Sequence, residues 1–233
     1  MAKFTSSVFT EIRGSIGGTT YSRNKSGAYT RQRTVPINPN TSAQQVVRNR
    51  LSTVSQTWQT LTQGQRDSFI NGSVNFPYVD TIGVTQYYSG QQLFMKLNST
   101  LLNIGQAQIA TCPLPSIFET LTINTLTISV AGNNIDVTTT FGGGGSIVPV
   151  GFVAVVEATA QRSEGVKFFG RSDYKQIAIS DAGVDLDATN YYTPYVAIFG
   201  NYVAGALIGI RFVLVEKVVG QLSTASTLSD IVA

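Results

Sequence analysis

The residues that could do chemistry are few in this chain, and their absences are as informative as their positions. There is no histidine among the 233 residues, which removes the commonest general base, the commonest metal ligand and the usual catalytic triads. The single cysteine, Cys112, excludes an internal disulfide and a thiolate zinc site, and points to synthesis in a reducing compartment. Cys112 precedes Pro113 in an apolar setting and reads as a buried, inert thiol. The 13 Asp and Glu residues are scattered, with no pair placed for general acid and base work. Four glycines at 142–145 resemble a phosphate cradle only superficially. A P-loop needs a following Lys-Ser/Thr and a helix, whereas Ser146, Ile147 and Val148 lead into a strand. Asp181, Asp185 and Asp187 cluster on a loop, but the EF-hand spacing and its bidentate Glu are missing. They read as a solvated turn, with calcium as the alternative. No cofactor and no catalytic residue is expected.

Arginine is the remaining chemical group of interest. Residues 1–70 hold nine Lys/Arg and two acids, a surplus of seven positive charges, which leaves the rest of the chain four negative against the total of +3. Arg31, Arg33, Arg48 and Arg50 lie in or beside the stretch 29–50, with Tyr21 and Tyr29 near them. Such a set contacts phosphates and stacks on bases, or forks onto carboxylates and carbonyls of a neighbouring subunit. The charge is spread out, Lys clusters are missing, and Pro36, Asn38, Pro39 and Asn40 make a rigid turn. These features favour the protein interface over nucleic acid.

The elements that must position these arginines are legible from periodicity and caps. Residues 1–40 lack helical period and are punctuated by Gly14, Gly17, Gly18 and Gly27. They read as an extended basic arm with a hairpin near residues 24–27. Thr41 and Gln44 have capping-box spacing, and Val47, Leu51, Val54, Trp58 and Leu61 follow on one helix face. Thr62 with Gln65 and Ser89 with Gln92 repeat the box. Leu93, Phe94, Leu97, Leu101 and Ile104 form another apolar face, closed by Gly105 as a C-terminal cap. Three helices should bury these stripes together, with Val47, Leu51, Val54, Trp58, Leu61, Leu93, Leu97 and Leu101 as their core and Trp58 at the centre. Residues 73–88 read as an aromatic loop.

After Cys112-Pro113-Leu114-Pro115 the texture becomes β-like. Residues 120–130 and 135–141 alternate around a Gly132-Asn133-Asn134 turn, and 147–160, 166–169, 174–179, 191–199 and 206–218 continue the pattern. Ala206, Ile208, Ile210, Phe212 and Leu214 share one face. About seven strands fit an immunoglobulin- or fibronectin-like sandwich, with a jelly roll as the alternative. The expected fold class is α+β: a basic arm (1–40), a three-helix unit (41–111), a linker (112–119), a β-sandwich (120–221) and a tail (222–233) that is loose or an edge segment. No secretory signal is expected after Met1. The longest apolar run, 202–215, is short and broken by Arg211, so no membrane span is expected.

Several motifs together resemble a family of phage and prophage proteins. These are the Gly-rich ribbon, the R-x-R of Arg31 and Arg33, N-P-x-T-x-x-Q from Asn38, and L-T-x-x-Q-R-x-x-F from Leu61. G-x-x-L-F-x-x-L-N from Gly90 and L-L-N-I-G from Leu101 complete the set. The similarity covers the first 115 residues and continues in style only. It implies a virion structural component of head, neck or tail, made in the host cytoplasm, with no catalytic residue to carry over. Its implied partners are shell, portal, neck or tail subunits and further copies of itself, with Arg31, Arg33, Arg48 and Arg50 as docking residues and DNA contact as the alternative. A low charged fraction, 12% against a typical quarter, suits a surface covered by neighbours. Exposed aromatics at Tyr174, Tyr191, Tyr192 and Tyr195 would instead suggest carbohydrate binding.

Overall fold

A computed structural model describes residues 2–3, 12–25, 27–80, 82–166 and 168–233. The fold is mixed α+β, and the chain forms two compact units, Met1–Val46 and Val47–Ala233. Residues 4–11 of the expected arm lie outside the described residues.

The first unit is more than a ribbon. Strands β1 (Ala2–Lys3), β2 (Gly14–Ile16), β3 (Thr19–Asn24) and β4 (Gly27–Gln32) form an antiparallel sheet in the order β1-β4-β3-β2. Two-residue loops set the register. Ile16 faces Thr19 across Gly17, whose φ of 58° fits a tight turn, and Asn24 faces Gly27. The expected hairpin at 24–27 is therefore present. Among the described residues from 12 to 46 none is buried, so β2, β3 and β4 bury no side chain of their own among them.

In the second unit, helix α1 (Ser42–Thr60) starts in the first unit and continues here, followed by α2 (Gln63–Gly72) and α3 (Gly90–Asn103). All three capping boxes are formed, at Thr41–Gln44, Thr62–Gln65 and Ser89–Gln92. Gly105, at φ 74°, ends α3: its N–H bonds to the Leu102 carbonyl, and the Gln106 N–H bonds to the Leu101 carbonyl. Residues 73–88 are not simply a loop. They include a short hairpin of β5 (Pro77–Val79) and β6 (Thr85–Tyr87), with Tyr78 stacked on Tyr88 at 4.5 Å.

Val54, Leu61, Phe69, Phe76, Leu93, Phe94 and Leu97 form the helical core, with Trp58 half-buried against it. Leu101 is also buried. The expected core needs correcting at Val47, Leu51 and Trp58. Val47 and Leu51 are 59% and 49% exposed, because their end of α1 runs past what the shorter α2 and α3 can cover. Phe69 and Phe94 are the most deeply buried aromatic rings here, meeting edge-on at 5.1 Å, and Trp58 flanks them at 6.2 and 5.2 Å. Gly90, the first residue of its motif, lets α2 come close: a Cβ there would meet Ile70 Cγ1 at 2.7 Å and the Ile70 backbone N at 2.9 Å.

The β-rich part contains β7 (Leu121–Ser129), β8 (Asn134–Phe141), β9 (Phe152–Thr159), β10 (Arg162–Ser163), β11 (Tyr174–Ser180), β12 (Ala206–Glu216) and β13 (Ser226–Ile231). β12 is central, pairing with β9 and β10 and with β13, while β11 pairs with β9. The hairpin of β7 and β8 shares a core with this sheet through Leu126, Ile128, Ile135 and Val137 on one side and Ile208, Ile210 and Phe212 on the other. The segment 191–199 is not a strand. Residues Tyr192–Phe199 form a helix, α4, entered through Asn190, whose Oδ1 accepts from the Tyr192 N–H. Pro194 is in its first turn, where a missing N–H costs little. Residues 166 and 168–169 form no strand, and the tail is no loose end, since β13 is a paired strand.

Residues 112–119 are tied down, not a free linker. Cys112 N–H donates to Ser68 Oγ, Ser116 N–H to Gln221 Oε1, and Ser116 Oγ to Glu216. Val219 joins the helical core, and Asn103 Nδ2 donates to Gln176 Oε1 at 2.8 Å. Gly220 fixes the seam, with φ 74° and space for no Cβ: one would meet the Leu97 carbonyl oxygen at 2.5 Å and Leu101 Cγ at 2.8 Å. Gly220→Ala is expected to cost about 3 kcal/mol, combining left-handed strain with a backbone overlap. Gly144→Ala, at φ 88° with open space around it, should cost about 1 kcal/mol. Urea unfolding of the two variants distinguishes strain alone from strain plus overlap.

Candidate functional site

The four arginines singled out by the sequence do not form one cluster. Arg31 and Arg33 are exposed in the first unit. Arg31 faces Thr20 across the strand pair, on the same face as Tyr29, and the Arg33 N–H bonds to the Gly18 carbonyl. Arg48 is exposed on α1 in the second unit. Arg50 is half-buried and lines a cleft of about 230 Å³ together with Arg171, Arg211 and Glu157.

This cleft is built where the helical core meets the outer face of the sheet. β12 is buried on both faces, so its residues read as a nearly continuous apolar run. Ile208, Ile210 and Phe212 enter the core shared with the β7–β8 hairpin. Val213 and Val215 point the other way and floor the cleft beside Val155, with Ser99, Thr100 and Asn103 of α3 along one wall. Arg211 is the one charged side chain in the middle of β12. It lies directly across from Glu157 of β9, its Nε 2.8 Å from Glu157 Oε2, with the side chains only 13% and 22% exposed. The two pair as charges without the alignment of a hydrogen bond. The Arg211 guanidinium also lies 5.4 Å from the Tyr174 ring centre, a cation–π distance. Burial pushes the Tyr174 hydroxyl pKa up, and the Arg211 charge opposes that rise.

Sequence reasoning missed Arg171 and Arg211. The signal for Arg211 was visible: an arginine inside an apolar strand needs a partner and a solvent-facing neighbour, and it marks where the sheet's outer face is not simply hydrophobic. Arg50 falls just off the apolar stripe of α1, which is why it comes to the edge of the helical core.

The remaining candidates have structural roles. Asp185 Oδ1 accepts from Ser146 Oγ at 2.6 Å and from the Asp187 N–H, and the Ser146 hydroxyl chiefly holds the Asp185 carboxyl below its usual pKa. Asp187 Oδ1 accepts from both the N–H and the hydroxyl of Thr139, while Asp181 pairs with Lys217 at 3.0 Å. Among the described residues no group of three or more Cys, Asp and Glu is gathered to hold a metal ion. The glycine run 142–145 is a loop between β8 and the following chain, closed by the Phe141 N–H bonding to the Gly145 carbonyl and the Gly144 N–H to the Phe141 carbonyl. Tyr191 and Tyr195 are fully buried, and Tyr174 and Tyr192 partly so, so they form no exposed aromatic platform. Cys112 is half-buried and burial raises its pKa, which keeps it a thiol and a poor nucleophile near neutral pH. Among the described residues no helix is long and apolar enough to cross a membrane.

Comparison with protein-family models, with curated proteins and with solved structures gave no match to this chain.

Proposed function

We propose that this chain is a non-enzymatic structural protein of a phage particle, an accessory head, neck or tail component that docks onto neighbouring subunits through its N-terminal sheet and first helix. The observation that carries this reading is that no described residue of the first unit from 12 to 46 is buried. A sheet of short strands with no buried residue on either face among those described cannot balance its own ordering entropy, and covering by another surface supplies what it lacks. Val35, Ile37 and Val46 in the first unit are exposed, and so are Val47 and Leu51 on α1 in the second. In this reading Arg31, Arg33, Arg48 and Arg50 supply the charged contacts, and the β-rich part is an abridged immunoglobulin-like sandwich, the β7–β8 hairpin facing the sheet around β12. The particle also supplies the location and the partners, shell, portal, neck or tail subunits and further copies of the chain.

The test is charge reversal in the sheet. Arg31→Glu with Arg33→Glu should leave the unfolding transition within about 0.5 kcal/mol, since both side chains are exposed. Incorporation into particles, counted by quantitative mass spectrometry, should fall at least about tenfold. Unchanged incorporation would sink the docking role. A second reading is nucleic-acid binding by the same sheet, favoured by Tyr29 and Arg31 on one face. It requires DNA binding that weakens steeply with salt.

A further inference from the structure

The cleft beside Arg211 holds a charge imbalance of its own, sharing only Arg50 with the residues assigned to docking. Three arginines, Arg50, Arg171 and Arg211, and one acid, Glu157, line it, leaving two positive charges in excess. Glu157 already neutralises Arg211 at 2.8 Å. Neither Arg50 nor Arg171 has an ion-pair partner among the described residues. Two like charges brought to one partly enclosed, apolar-floored cleft repel more strongly than they would in water, and in a chain with only 12% charged residues that arrangement is conspicuous. A dianion between them would turn the repulsion into attraction.

We infer that the Arg50–Arg171–Arg211 cleft binds a small free oxyanion, a phosphate group or a compact di- or tricarboxylate. The guanidinium fork matches either group with two parallel N–H bonds. Other donors are few. The Thr100 hydroxyl donates to the Lys96 carbonyl, and one amide N–H of Asn103 goes to Gln176. That leaves Ser99 as the hydroxyl donor on the α3 wall. The volume, about 230 Å³, falls below the roughly 300–1,000 Å³ of pockets for drug-sized ligands, so the ligand has few atoms. A second cavity of about 230 Å³ continues past Arg171 and Arg211 to Ser223, giving a longer acid space along the cleft. Arg50 comes from α1, Arg171 from the turn before β11, and Arg211 from β12, so the bound anion would also clamp the helical core to the sheet.

The experiment uses the full chain at low ionic strength. Inorganic phosphate and citrate are titrated separately by calorimetry, with sodium chloride at matched ionic strength as the control, and unfolding temperature is followed in parallel. The expected result is saturable one-to-one binding of at least one of the two, with a matching rise in unfolding temperature. Arg50→Gln and Arg171→Gln should each weaken that binding at least about tenfold, while Arg31→Gln leaves it unchanged. Both arginines are solvent-accessible, so neither substitution threatens the fold. Phosphate alone binding assigns the site to a phosphate group; citrate alone assigns it to carboxylates. No saturable binding of either anion up to about 10 mM, or binding that survives Arg50→Gln with Arg171→Gln, overturns the inference. These outcomes are independent of particle incorporation, which tests Arg31 and Arg33.

Discussion

Phe94→Ala should lower the unfolding free energy by about 4 kcal/mol, the range seen when a fully buried aromatic is truncated. Phe94 is inaccessible to solvent, meets Phe69 edge-on at 5.1 Å and lies 5.2 Å from Trp58. The deletion removes both rings' partner and leaves a cavity that capped helices on either side cannot close. Leu51→Ala, on the same set of apolar stripes but half exposed, should cost well under 1 kcal/mol. Urea unfolding followed by fluorescence reads this directly, because Trp58 is the only tryptophan and stands in the cluster. The same titration followed by far-ultraviolet dichroism reports the sheet. Val219, Gly220 and the Asn103–Gln176 bond join the two cores, so the two probes should give one midpoint. A loss below about 1 kcal/mol would show that Phe94 is not the centre of the helical core.

Raising the pH above 10 should destabilise the protein by about 5 kcal/mol by pH 12, through two tyrosines. Burial pushes the hydroxyl pKa of Tyr191 up to about 12, with bonds to Ser180 and Thr189 opposing it and the Asp187 and Asp185 charges adding to it. Burial likewise pushes Tyr195 up to about 12, with the backbone of Gln161 opposing the rise and Tyr202 adding to it. In the unfolded chain a tyrosine loses its proton near 10. Between 10 and 12 the unfolded state is therefore deprotonated while the folded state keeps both protons, and stability falls as pH rises. The contribution is whole below pH 10 and is lost as pH rises to the folded pKa, each pH step of one across that window costing roughly 1.4 kcal/mol per ring. Urea midpoints at pH 9, 10.5 and 11.5 measure the slope. Tyr191→Phe with Tyr195→Phe should flatten it, and an unflattened slope would place the effect elsewhere. The hydroxyl of Tyr195 makes no well-aligned hydrogen bond, so Tyr195→Phe alone should be nearly neutral at pH 7.

Much of the helical part can be read from spacing alone. The three Thr/Ser–Gln boxes and Gly105 are local devices, decided by the nearest turn of backbone, and each is in place. The apolar stripe of α1 is also legible as a stripe, yet Val47 and Leu51 remain exposed. Periodicity identifies which face of a helix a partner would cover and carries no information about whether the partner is long enough. The segment 191–199 misleads differently. Its tyrosines, Val196 and Ile198 favour a strand, but Asn190 and Pro194 are helix-start signals, and Tyr191 and Tyr195 at a spacing of four both reach the core. Local composition loses to two residues of turn chemistry. In β12 the inward face is legible by alternation, whereas the outward face, with Arg211, is not. Its burial depends on α3, which is far away in sequence. Arg211 stands out as a charge within an apolar strand, but that Arg50 and Arg171 join it in one cleft is not legible, because they come from segments distant in sequence.

The placement of β13 has a kinetic consequence. This strand pairs with β12 and runs beside β7, where Ser226 Oγ accepts from the Ile123 N–H across a separation of 103 residues. Ala233 exchanges backbone bonds with Ile128 and Val130. The helices and the β7–β8 hairpin rest on local contacts and can form early, but the core between hairpin and sheet closes only when the most distant segment arrives. Such long loop closures slow the last step of folding. On a ribosome, the hairpin's apolar face would wait uncovered until the segment after Phe141, more than a third of the 233 residues, has been made, the interval in which this protein is most open to mispairing with its own copies.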